Sequence, residues 1–385
     1  MDYPGPPGHG TPRPPEPLLV PLPEADLRWL DHAILLGRRG WGRVHPNPMV
    51  GCVLVRDGRV VAEGWHGEFG GPHAEVGALE SAGAGAAGAT AYVSLEPCRH
   101  EGKTPACTAA LERAGVARVV YAVADPSTDV AGGGDELRAA RVPVDGPVWP
   151  EAAGRRENPS FFHGVRSARP YVALKLALSL DGALAEAPGR RTQISGPESA
   201  AVAHRLRAGF DAVLVGAQTV RADDPRLTVR AGGVTPRIAP ARMVLDPRAE
   251  LSAGAALFRD PGGRVMVFTR DDADEAAQER IERAGAEVHP VPSRGRRMDL
   301  GVVLERAAAT GIRSVLCEGG GQLATSLLSE GRVDRMYLVH APRALGRAGV
   351  PAFPGPFAAG AWEGWTLAFD PERLGVDVLT VYERA

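Results

Sequence analysis

The sequence predicts an α/β protein with two domains, and three observations support this fold class. The chain has 385 residues, more than one typical domain needs. Strand-like and helix-like patterns alternate in both halves, as they do where helices cover a sheet. An irregular, polar stretch at residues 146–170 separates the halves. We therefore expect domains at 24–166 and 167–385, after a proline-rich tail at 1–23 that has too little apolar surface to order itself.

In the first half, helix-like and strand-like patterns alternate from about residue 24 onward. An amphipathic helix is expected from Glu24, and Asp57-Gly58 predicts a tight hairpin between two strands. The expected strands are Val50–Val55, Arg59–Glu63, Ala91–Leu95, Val116–Ala124 and Val142–Val144; the later helices are Pro72–Ser81, Pro105 toward Arg113, and Asp135–Ala140. This order of elements predicts a three-layer α/β/α domain.

The second half restarts with a continuous apolar strand, which is typical of a sheet covered on both faces. The expected strands are Tyr171–Leu178, Asp211–Val215, Met243–Leu245, Arg264–Thr269, Glu287–Val291, Ser314–Cys317, Arg335–Val339 and Val376–Tyr382; the expected helices include Pro197–Ala208 and Gln322–Ser329. A second α/β sheet follows from this pattern.

Composition limits the classes of function. The 44 basic and 46 acidic residues nearly cancel, which argues against a dedicated nucleic-acid binder. Four cysteines are too few for a disulfide framework, and they fit a reducing cytoplasm. No apolar run approaches the 18 residues of a membrane span, so we expect no membrane association.

A metal-ligand pattern dominates the first half. His73, Cys98 and Cys107 are one imidazole and two thiolates, a set that suits a tetrahedral Zn²⁺ ion with one position open for water. Glu75 follows His73 by two residues and can carry the proton that such a water loses. The order H-x-E, P-C and a second Cys is typical of zinc deaminases that act on nucleobases. The pattern predicts a hydrolytic deaminase centre.

Each of these residues also has a simpler interpretation. Cys98 and Cys107 can be ordinary buried cysteines, and His73 can be a surface residue at a helix start. A structural zinc site would need a fourth protein ligand at comparable spacing, and the sequence offers none.

Polar residues at strand ends mark a second candidate site. Lys175 stands inside an apolar strand, where it needs a partner or a ligand; an edge-strand lysine facing solvent is the alternative. Asp223-Asp224-Pro225 follows another buried strand, although it can be a simple turn. Glu318-Gly319-Gly320-Gly321 joins a strand to a helix, and its glycines let backbone N–H groups approach a phosphate. Together they predict a nucleotide cofactor site.

The chain resembles a known family, the bifunctional deaminase–reductase of riboflavin biosynthesis, from about residue 24 to its end. The motifs that carry the resemblance are His45-Pro46-Asn47-Pro48, Pro72-His73-Ala74-Glu75, Leu95-Glu96-Pro97-Cys98, Gly102-Lys103-Thr104-Pro105, Cys107, Lys175-Leu176-Ala177, Ser179-Leu180-Asp181-Gly182, Thr219-Val220, Asp223-Asp224-Pro225, Leu227-Thr228-Val229-Arg230 and Glu318-Gly319-Gly320. The resemblance implies a cytidine-deaminase-like first domain and a dihydrofolate-reductase-like second domain.

The resemblance also implies two reactions and their cofactors. The zinc domain would deaminate 2,5-diamino-6-ribosylamino-4(3H)-pyrimidinone 5′-phosphate. The second domain would use NADPH to reduce the ribosyl group of the resulting uracil to ribityl. The partners would be these small pyrimidine ribosyl phosphates, with no nucleic acid and no membrane, and a cytoplasmic homo-oligomer is expected.

The family's site residues carry over by position. For the deaminase, the resemblance implies Glu75 as the catalytic residue, His73, Cys98 and Cys107 as metal ligands, and Asn47, His66 and Lys103 as substrate contacts. The implied NADPH contacts are Ala177, Gln193, Thr219, Asp223, Gly320, Gly321, Gln322, Leu323, Ala324 and Thr325. The implied reductase substrate contacts are Lys175, Arg191, Arg207, Leu227, Arg230 and Glu318.

Two of the positions that depart from the family pattern bear on the second reaction. Gln193 stands where the family has an aromatic residue against the cofactor, and Arg191 stands where it has a small polar one. These departures leave open a relative that acts on a related pyrimidine in a secondary pathway, or one in which only the deaminase works. A nucleic-acid-editing protein with the same zinc motif is the alternative from another class.

Overall fold

The computed structural model describes residues 6–8, 17–100, 106–260, 262–295, 297–357, 360 and 362–384. They form two compact units: the first ends at Arg166, and the second runs from Ser167 and also includes Pro7 and Gly8 from the start of the chain. Of the predicted disordered tail, residues 6–8 and 17–23 are described, and the others lie outside the described residues. Gly8 donates its backbone N–H to Glu372 Oε2 at 2.8 Å, and Leu19 donates to the Val148 carbonyl oxygen at 2.8 Å.

The first unit follows the predicted order of elements. Its helices are α1 (Glu24–Gly37), α2 (Ala74–Ala82), α3 (Cys107–Arg113), α4 (Gly133–Ala139), α5 (Glu151–Glu157) and α6 (Pro159–Arg166), and its strands are β1 (Gly51–Arg56), β2 (Arg59–Trp65), β3 (Thr90–Val93), β4 (Arg118–Tyr121) and β5 (Val144–Asp145). Asp57 and Gly58 both have positive φ at the β1–β2 turn, as the predicted hairpin requires.

A sheet with the strand order β2-β1-β3-β4-β5 forms the middle layer of this unit. Strand β1 is antiparallel to β2 and β3, whereas β3, β4 and β5 are parallel. Alternating side chains of β1 point to opposite faces. Val53 and Val55 pack with α1, α5 and α6, and Cys52 and Leu54 pack with α2, α3 and α4. The predicted three-layer architecture is confirmed.

The expectation that residues 146–170 are irregular was wrong, because this stretch contains α5 and α6. Arg155, Arg156 and Pro159 indicated a polar loop, but Pro159 is the first residue of α6, a position at which a helix tolerates proline. The pair is stabilised by packing. Phe162 is fully buried in the core under α1, and an added Cβ at Gly154 would lie 2.4 Å from its ring.

The second unit is built on a longer sheet. Its strands are β6 (Tyr171–Leu178), β7 (Ala183–Ala185), β8 (Ala212–Gly216), β9 (Ala241–Leu245), β10 (Val265–Arg270), β11 (Glu287–Val291), β12 (Ser293–Arg294), β13 (Arg297–Met298), β14 (Ser314–Cys317), β15 (Arg335–His340), β16 (Val350–Pro351), β17 (Trp365–Leu367), β18 (Glu372–Leu374) and β19 (Asp377–Arg384). Its helices are α7 (Pro197–Ala208), α8 (Ala217–Asp223), α9 (Ala256–Arg259), α10 (Glu275–Arg283), α11 (Leu300–Ala309) and α12 (Gly321–Ser329).

The main sheet of this unit has the order β11-β10-β9-β8-β14-β6-β15-β19-β17. The strands from β11 to β15 are parallel, and β19 is antiparallel to β15. Helices α11 and α12 cover one face, and α8 and α10 cover the other. Helix α8, at Ala217–Asp223, is not among the helices expected from the sequence.

Within the described part of the chain, no helix is both long enough and apolar enough to span a bilayer. All four cysteines are free thiols, three of them buried and Cys98 partly exposed.

Glycine at position 64 allows α2, which carries the first site, to lie directly on β2. An added Cβ there would lie 2.3 Å from the Ala74 carbonyl oxygen and 2.5 Å from the Ala78 nitrogen. Both are backbone atoms, so the helix itself would have to move. No L side chain fits at this position without displacing the start of α2.

We therefore predict that Gly64→Ala destabilises the protein by about 1–3 kcal/mol, because the new methyl group overpacks a backbone contact. Gly77 is the matched control: it lies within α2 with no atom within 4 Å of an added Cβ. Gly77→Ala should be neutral or stabilise by up to about 1 kcal/mol through helix propensity. Urea unfolding measures both, and equal stability of the two variants would contradict the close-packing argument.

Candidate active sites

Three candidate metal ligands converge at one end of the first sheet. His73 is the N-cap residue of α2, and Cys107 is the first residue of α3. Cys98 lies on the loop that follows β3, and its carbonyl oxygen accepts the Thr108 N–H at 3.2 Å. Two helix starts and one loop after a strand thus meet, although the residues are up to 34 positions apart in the sequence.

The ligand atoms are spaced as one ion requires. His73 Nδ1 lies 3.5 Å from Cys98 Sγ and 3.3 Å from Cys107 Sγ, and all three ligand atoms lie within 4.8 Å of one another. One imidazole and two sulfurs fit Zn²⁺, which prefers nitrogen and sulfur in a tetrahedral arrangement. No fourth protein ligand joins this group among the described residues, as expected where one coordination position is left for water.

The two thiols have opposite protonation behaviour. Hydrogen bonds from the Cys107 thiol, the His73 ring and the Cys107 backbone N–H lower the pKa of Cys98 to about 4. The pKa of Cys107 is raised, first because its thiol donates to Cys98 and then because it is buried. The two sulfurs therefore share one proton when no metal is bound. A metal ion that binds both thiolates must displace this proton.

Glu75 lies beside this group in the first turn of α2 and is buried. Burial raises its pKa to about 7, and the neighbouring Cys98 thiolate adds to the shift. A carboxyl group with a pKa near neutrality can both accept and return a proton, which is what a general acid–base catalyst needs.

Two of the three predicted deaminase substrate contacts also lie here. His66 is buried, and its ring centroid lies 5.6 Å from that of His73. Its Nδ1 donates to the Pro72 carbonyl oxygen at 2.9 Å, so its Nε2 is left to accept from Asn47 Nδ2 at 3.2 Å. Asn47 and His66 therefore form one fixed pair next to the metal ligands. Lys103 lies outside the described residues.

Sequence reasoning missed Glu96, which organises the loop around Cys98. Its carboxylate accepts backbone N–H groups from Asp125 at 3.3 Å, Gly132 at 3.2 Å and Gly134 at 2.9 Å. It thereby caps the start of α4 from the loop that follows β3. Its position two residues before Cys98 was a sequence signal that Glu96 lies close to the metal ligands. Its partners, however, come 29 to 38 positions later.

In the second unit, most of the predicted reductase residues line one cavity of about 490 Å³. The predicted residues on its wall are Lys175, Ala177, Arg191, Gln193, Arg207, Thr219, Asp223, Leu227, Arg230 and Glu318. Strand alternation explains two of them, since Leu174 and Leu176 pack in the core beneath the sheet and leave Lys175 and Ala177 on the opposite face.

A buried ion pair forms the polar floor of the cavity. Arg207 Nε and Nη2 each donate to the Glu318 carboxylate at 2.7 Å, and its Nη1 donates to the Thr228 carbonyl oxygen at 3.1 Å. Burial raises the pKa of Glu318, but the charge of Arg207 outweighs this effect and the net shift is downward. Burial lowers the pKa of Lys175, and Glu318 opposes that shift.

Positive charge gathers at the mouth of the cavity. The exposed Arg226 and Arg230 line the cavity beside His204, whose pKa burial lowers. Neither Arg226 nor His204 was predicted from the sequence. Burial and then the charges of Arg207 and Arg226 lower the pKa of Arg230. Cations that repel one another in this way favour an anionic ligand. The missed signal is Arg226 itself, which stands between the Asp223-Asp224-Pro225 motif and the Leu227-Thr228-Val229-Arg230 motif.

The predicted cofactor contacts at residues 320–325 are not part of the cavity wall, but they lie next to it. An added Cβ at Gly320 would lie 3.7 Å from Thr219 Oγ1 on the cavity wall. In helix α12, which follows, Gln322 is exposed and Ala324 is fully buried. Thr325 is also buried, and its hydroxyl has no hydrogen-bond partner among the described residues. The other two predicted contacts in this range, Gly321 and Leu323, belong to the same helix.

Family models match both units. Residues 23–123 match the cytidine and deoxycytidylate deaminase zinc-binding region, and residues 170–364 match the RibD C-terminal domain. The chain therefore combines a zinc-dependent deaminase domain with a reductase domain.

Whole-chain similarities narrow this class. The chain is 40% identical over 324 residues to riboflavin biosynthesis protein RibD of Aquifex aeolicus, and the alignment covers 84% of this chain and 88% of that protein. It is 38% identical over 333 residues to the Escherichia coli protein of the same name, covering 83% and 89%. Among solved structures, Acinetobacter baumannii RibD is 35% identical with a TM-score of 0.79, covering 94% of this chain and 99% of that chain.

A Thermotoga maritima structure, titled a diaminohydroxyphosphoribosylaminopyrimidine deaminase/5-amino-6-(5-phosphoribosylamino)uracil reductase, is 32% identical with a TM-score of 0.78 over 94% of this chain and 99% of that chain. The chain belongs to the RibD family of bifunctional riboflavin biosynthesis enzymes. The expected activities, a deaminase and a reductase, and the expected cofactors, zinc and NADPH, are confirmed at this level.

Proposed function

We propose that the first unit deaminates 2,5-diamino-6-ribosylamino-4(3H)-pyrimidinone 5′-phosphate and that the second unit reduces 5-amino-6-(5-phosphoribosylamino)uracil with NADPH. The observation that carries this proposal is the convergence of His73, Cys98 and Cys107 beside the buried Glu75. The Thermotoga maritima relative, whose title contains both reactions, supports the choice of substrates.

For the deaminase, we assign His73, Cys98 and Cys107 as the residues that hold the metal. Zinc, when bound there, supplies a Lewis acid that activates water for attack on the amine-bearing ring carbon. Glu75 accepts the proton of that water and delivers it to the departing amine. Its burial keeps bulk water from competing for the proton.

The neighbouring polar residues orient the substrate. The fixed tautomer of His66 leaves the Asn47 amide with one further N–H and its oxygen available for a pyrimidine edge. We assign Asn47, His66 and Lys103 as substrate contacts, the last by family position alone. An amide that both donates and accepts can distinguish the carbonyl and amine groups of the ring.

For the reductase, we assign the cavity to both ligands. NADPH, when bound, supplies the hydride that reduces C1′ of the opened ribosyl group. Ala177, Gln193, Thr219, Asp223 and residues 320–325 are the proposed cofactor contacts. Lys175, Arg191, Arg207, Leu227, Arg230 and Glu318 are the proposed substrate contacts.

The two arginines proposed to bind the substrate phosphate, Arg207 and Arg230, differ in how many of their N–H donors are already used. Arg207 already spends three of its five N–H donors on Glu318 and Thr228, and it is therefore a fixed part of the floor. Arg230 donates from Nη1 to Thr228 Oγ1 at 2.7 Å and is exposed. It is the better placed of the two to bind the substrate phosphate bidentately.

The remaining partner assignments follow from charge and chemistry. We propose a homo-oligomer in the cytoplasm that binds small pyrimidine ribosyl phosphates and no nucleic acid, on the near balance of 44 basic and 46 acidic residues. Measuring the two half-reactions separately on the purified chain tests the assignment. Deamination without any NADPH oxidation at saturating aminouracil would instead favour a chain in which only the deaminase works, as Gln193 and Arg191 on the cavity wall would allow.

Glu75→Gln should reduce deamination by about 10²–10⁴-fold, because the amide keeps the size of the side chain but cannot carry a proton. Zinc content should stay near one per chain, since Glu75 is not a ligand, and the reductase rate of the same chain serves as the internal control. Metal analysis and a coupled ammonia assay measure these quantities. Turnover within threefold of wild type would remove Glu75 from the mechanism.

Arg230→Ala should raise the KM for the aminouracil phosphate about 10–100-fold, since a charge-assisted contact to phosphate is lost, and should leave the KM for NADPH unchanged. Arg283→Ala is the matched control, because Arg283 is an exposed arginine on α10, away from the cavity. Steady-state kinetics of NADPH oxidation give both constants. An unchanged substrate KM in Arg230→Ala would contradict the assignment.

A further inference from the structure

One wall of the reductase cavity is a segment without helix or strand. Residues 191–195, here called the wall segment, all line the cavity in succession. A segment of this kind lacks the repeating hydrogen bonds that hold a helix or a strand in place. Its position therefore depends on contacts with other parts of the unit. Arg343 contacts the segment directly, Asp377 holds the residue that follows it, and Asp181 holds the loop that carries Arg343.

Arg343 holds the middle of the wall segment. Its Nη1 donates to the Gln193 carbonyl oxygen at 2.6 Å, across 150 positions of sequence. Gln193 in turn donates from Nε2 to the Ser195 carbonyl oxygen at 2.8 Å, which folds the segment on itself. Arg343 is exposed and does not line the cavity, so this contact is its visible contribution to the site.

Asp181 fixes the loop that carries Arg343. Its carboxylate accepts the N–H groups of Leu345 at 3.1 Å and Gly346 at 2.7 Å, and the Ser179 hydroxyl donates to it at 2.5 Å. Ser179 and Asp181 directly follow β6, the strand that supplies Lys175 to the cavity floor. This explains the Ser179-Leu180-Asp181-Gly182 motif, whose Asp181 does not reach the cavity.

Asp377 fixes the end of the wall segment. Its Oδ2 accepts the Gly196 N–H at 2.7 Å and the Ser199 hydroxyl at 2.5 Å. Gly196 is the N-cap residue of α7 and has no side chain to cap it, so Asp377 supplies the cap from β19. Asp377 is 1% exposed, and its Oδ1 has no hydrogen-bond partner in the described part of the chain.

A buried carboxylate with an unpaired oxygen is costly and needs a compensating role. The role visible here is geometric. Helix α7 carries His204 and Arg207 into the cavity, and its first residue follows directly after the wall segment and Gly196. One carboxylate thus fixes two parts of the same site.

We propose that Arg343 and Asp377 are positioning residues of the reductase, which hold the wall segment against its ligands from outside the cavity. This rests on the proposed assignment of the cavity to the reductase. Neither residue contacts a reacting atom. They act by keeping Gln193 and the start of α7 in place, and Asp181 keeps Arg343 in place in turn.

Arg343→Ala is the direct test, because an exposed side chain can be removed without disturbing the core. The KM for NADPH should rise about five- to tenfold with kcat within twofold, as expected when a contact common to ground and transition states is loosened. Arg343→Lys, which keeps one donor, should recover most of the loss. Arg347→Ala, at an exposed arginine four positions later, should match wild type.

A second readout does not depend on activity. Trypsin cleavage after Arg190 and Arg191, followed by mass spectrometry, reports how firmly the wall segment is held. It should be several-fold faster in Arg343→Ala and Asp377→Asn than in wild type or Arg347→Ala. Far-UV circular dichroism should match wild type and thermal unfolding should lie well above the assay temperature in each variant, which shows that the second unit is still folded.

The outcomes separate this proposal from the one on which it rests. Faster cleavage without any reductase activity in wild type would uphold the anchoring and reject the reductase assignment. An unchanged KM and unchanged cleavage in Arg343→Ala would overturn the positioning role while the reductase assignment stands. An equal rise of KM in Arg347→Ala would also overturn it, because the effect would not depend on the contact with Gln193.

Discussion

Three ligand atoms within 4.8 Å of one another are the constraint on which the first unit depends. They come from two helix starts and one loop, so the sheet must bring those segments to the same end. Close backbone packing makes this possible. An added Cβ at Gly133 would lie 1.8 Å from the Pro97 carbonyl oxygen, next to Cys98. Glycine at this position and at Gly64 under α2 therefore allows the segments that carry the ligands to pack this closely.

The same physical device recurs in both units. Glu96 in the first and Asp377 in the second are buried carboxylates that accept backbone N–H groups at the start of a helix. Glu96 lies in the loop after β3, and Asp377 is the first residue of β19. A helix start lacks internal acceptors for its first N–H groups, so a distant carboxylate both satisfies it and fixes its direction. In each case the fixed helix or loop contributes side chains to the adjoining site.

The two sites handle charge differently. The first combines one imidazole with two sulfurs, which balance the charge of a divalent ion when both are thiolates. The second pairs Arg207 with Glu318 on its floor and leaves Arg226 and Arg230 at its mouth, where an anion is favoured. The ligand set of the first site therefore suits a metal ion, and the charges of the second suit an anionic ligand.

Much of this was predictable from the sequence because it is local. Strand β6 and helix α7 were predicted with the bounds that the structure has, since each carries a clean period, and the metal ligands follow from short motifs. Helices α5 and α6 were not predicted, because Arg155, Arg156 and Pro159 locally resemble a polar loop. The contacts of Arg343 with Gln193 and of Asp377 with Gly196 join segments 150 and 181 positions apart, and no local pattern indicates such pairs.

The central claim is that His73, Cys98 and Cys107 hold one zinc ion. X-ray absorption spectroscopy at the zinc edge, on the freshly purified chain, tests it most directly. The account predicts one zinc per chain with two sulfur ligands at about 2.3 Å and nitrogen or oxygen ligands at about 2.0–2.1 Å completing four-coordination. A metal-free protein, or a zinc shell with no sulfur or with four sulfurs, would contradict it.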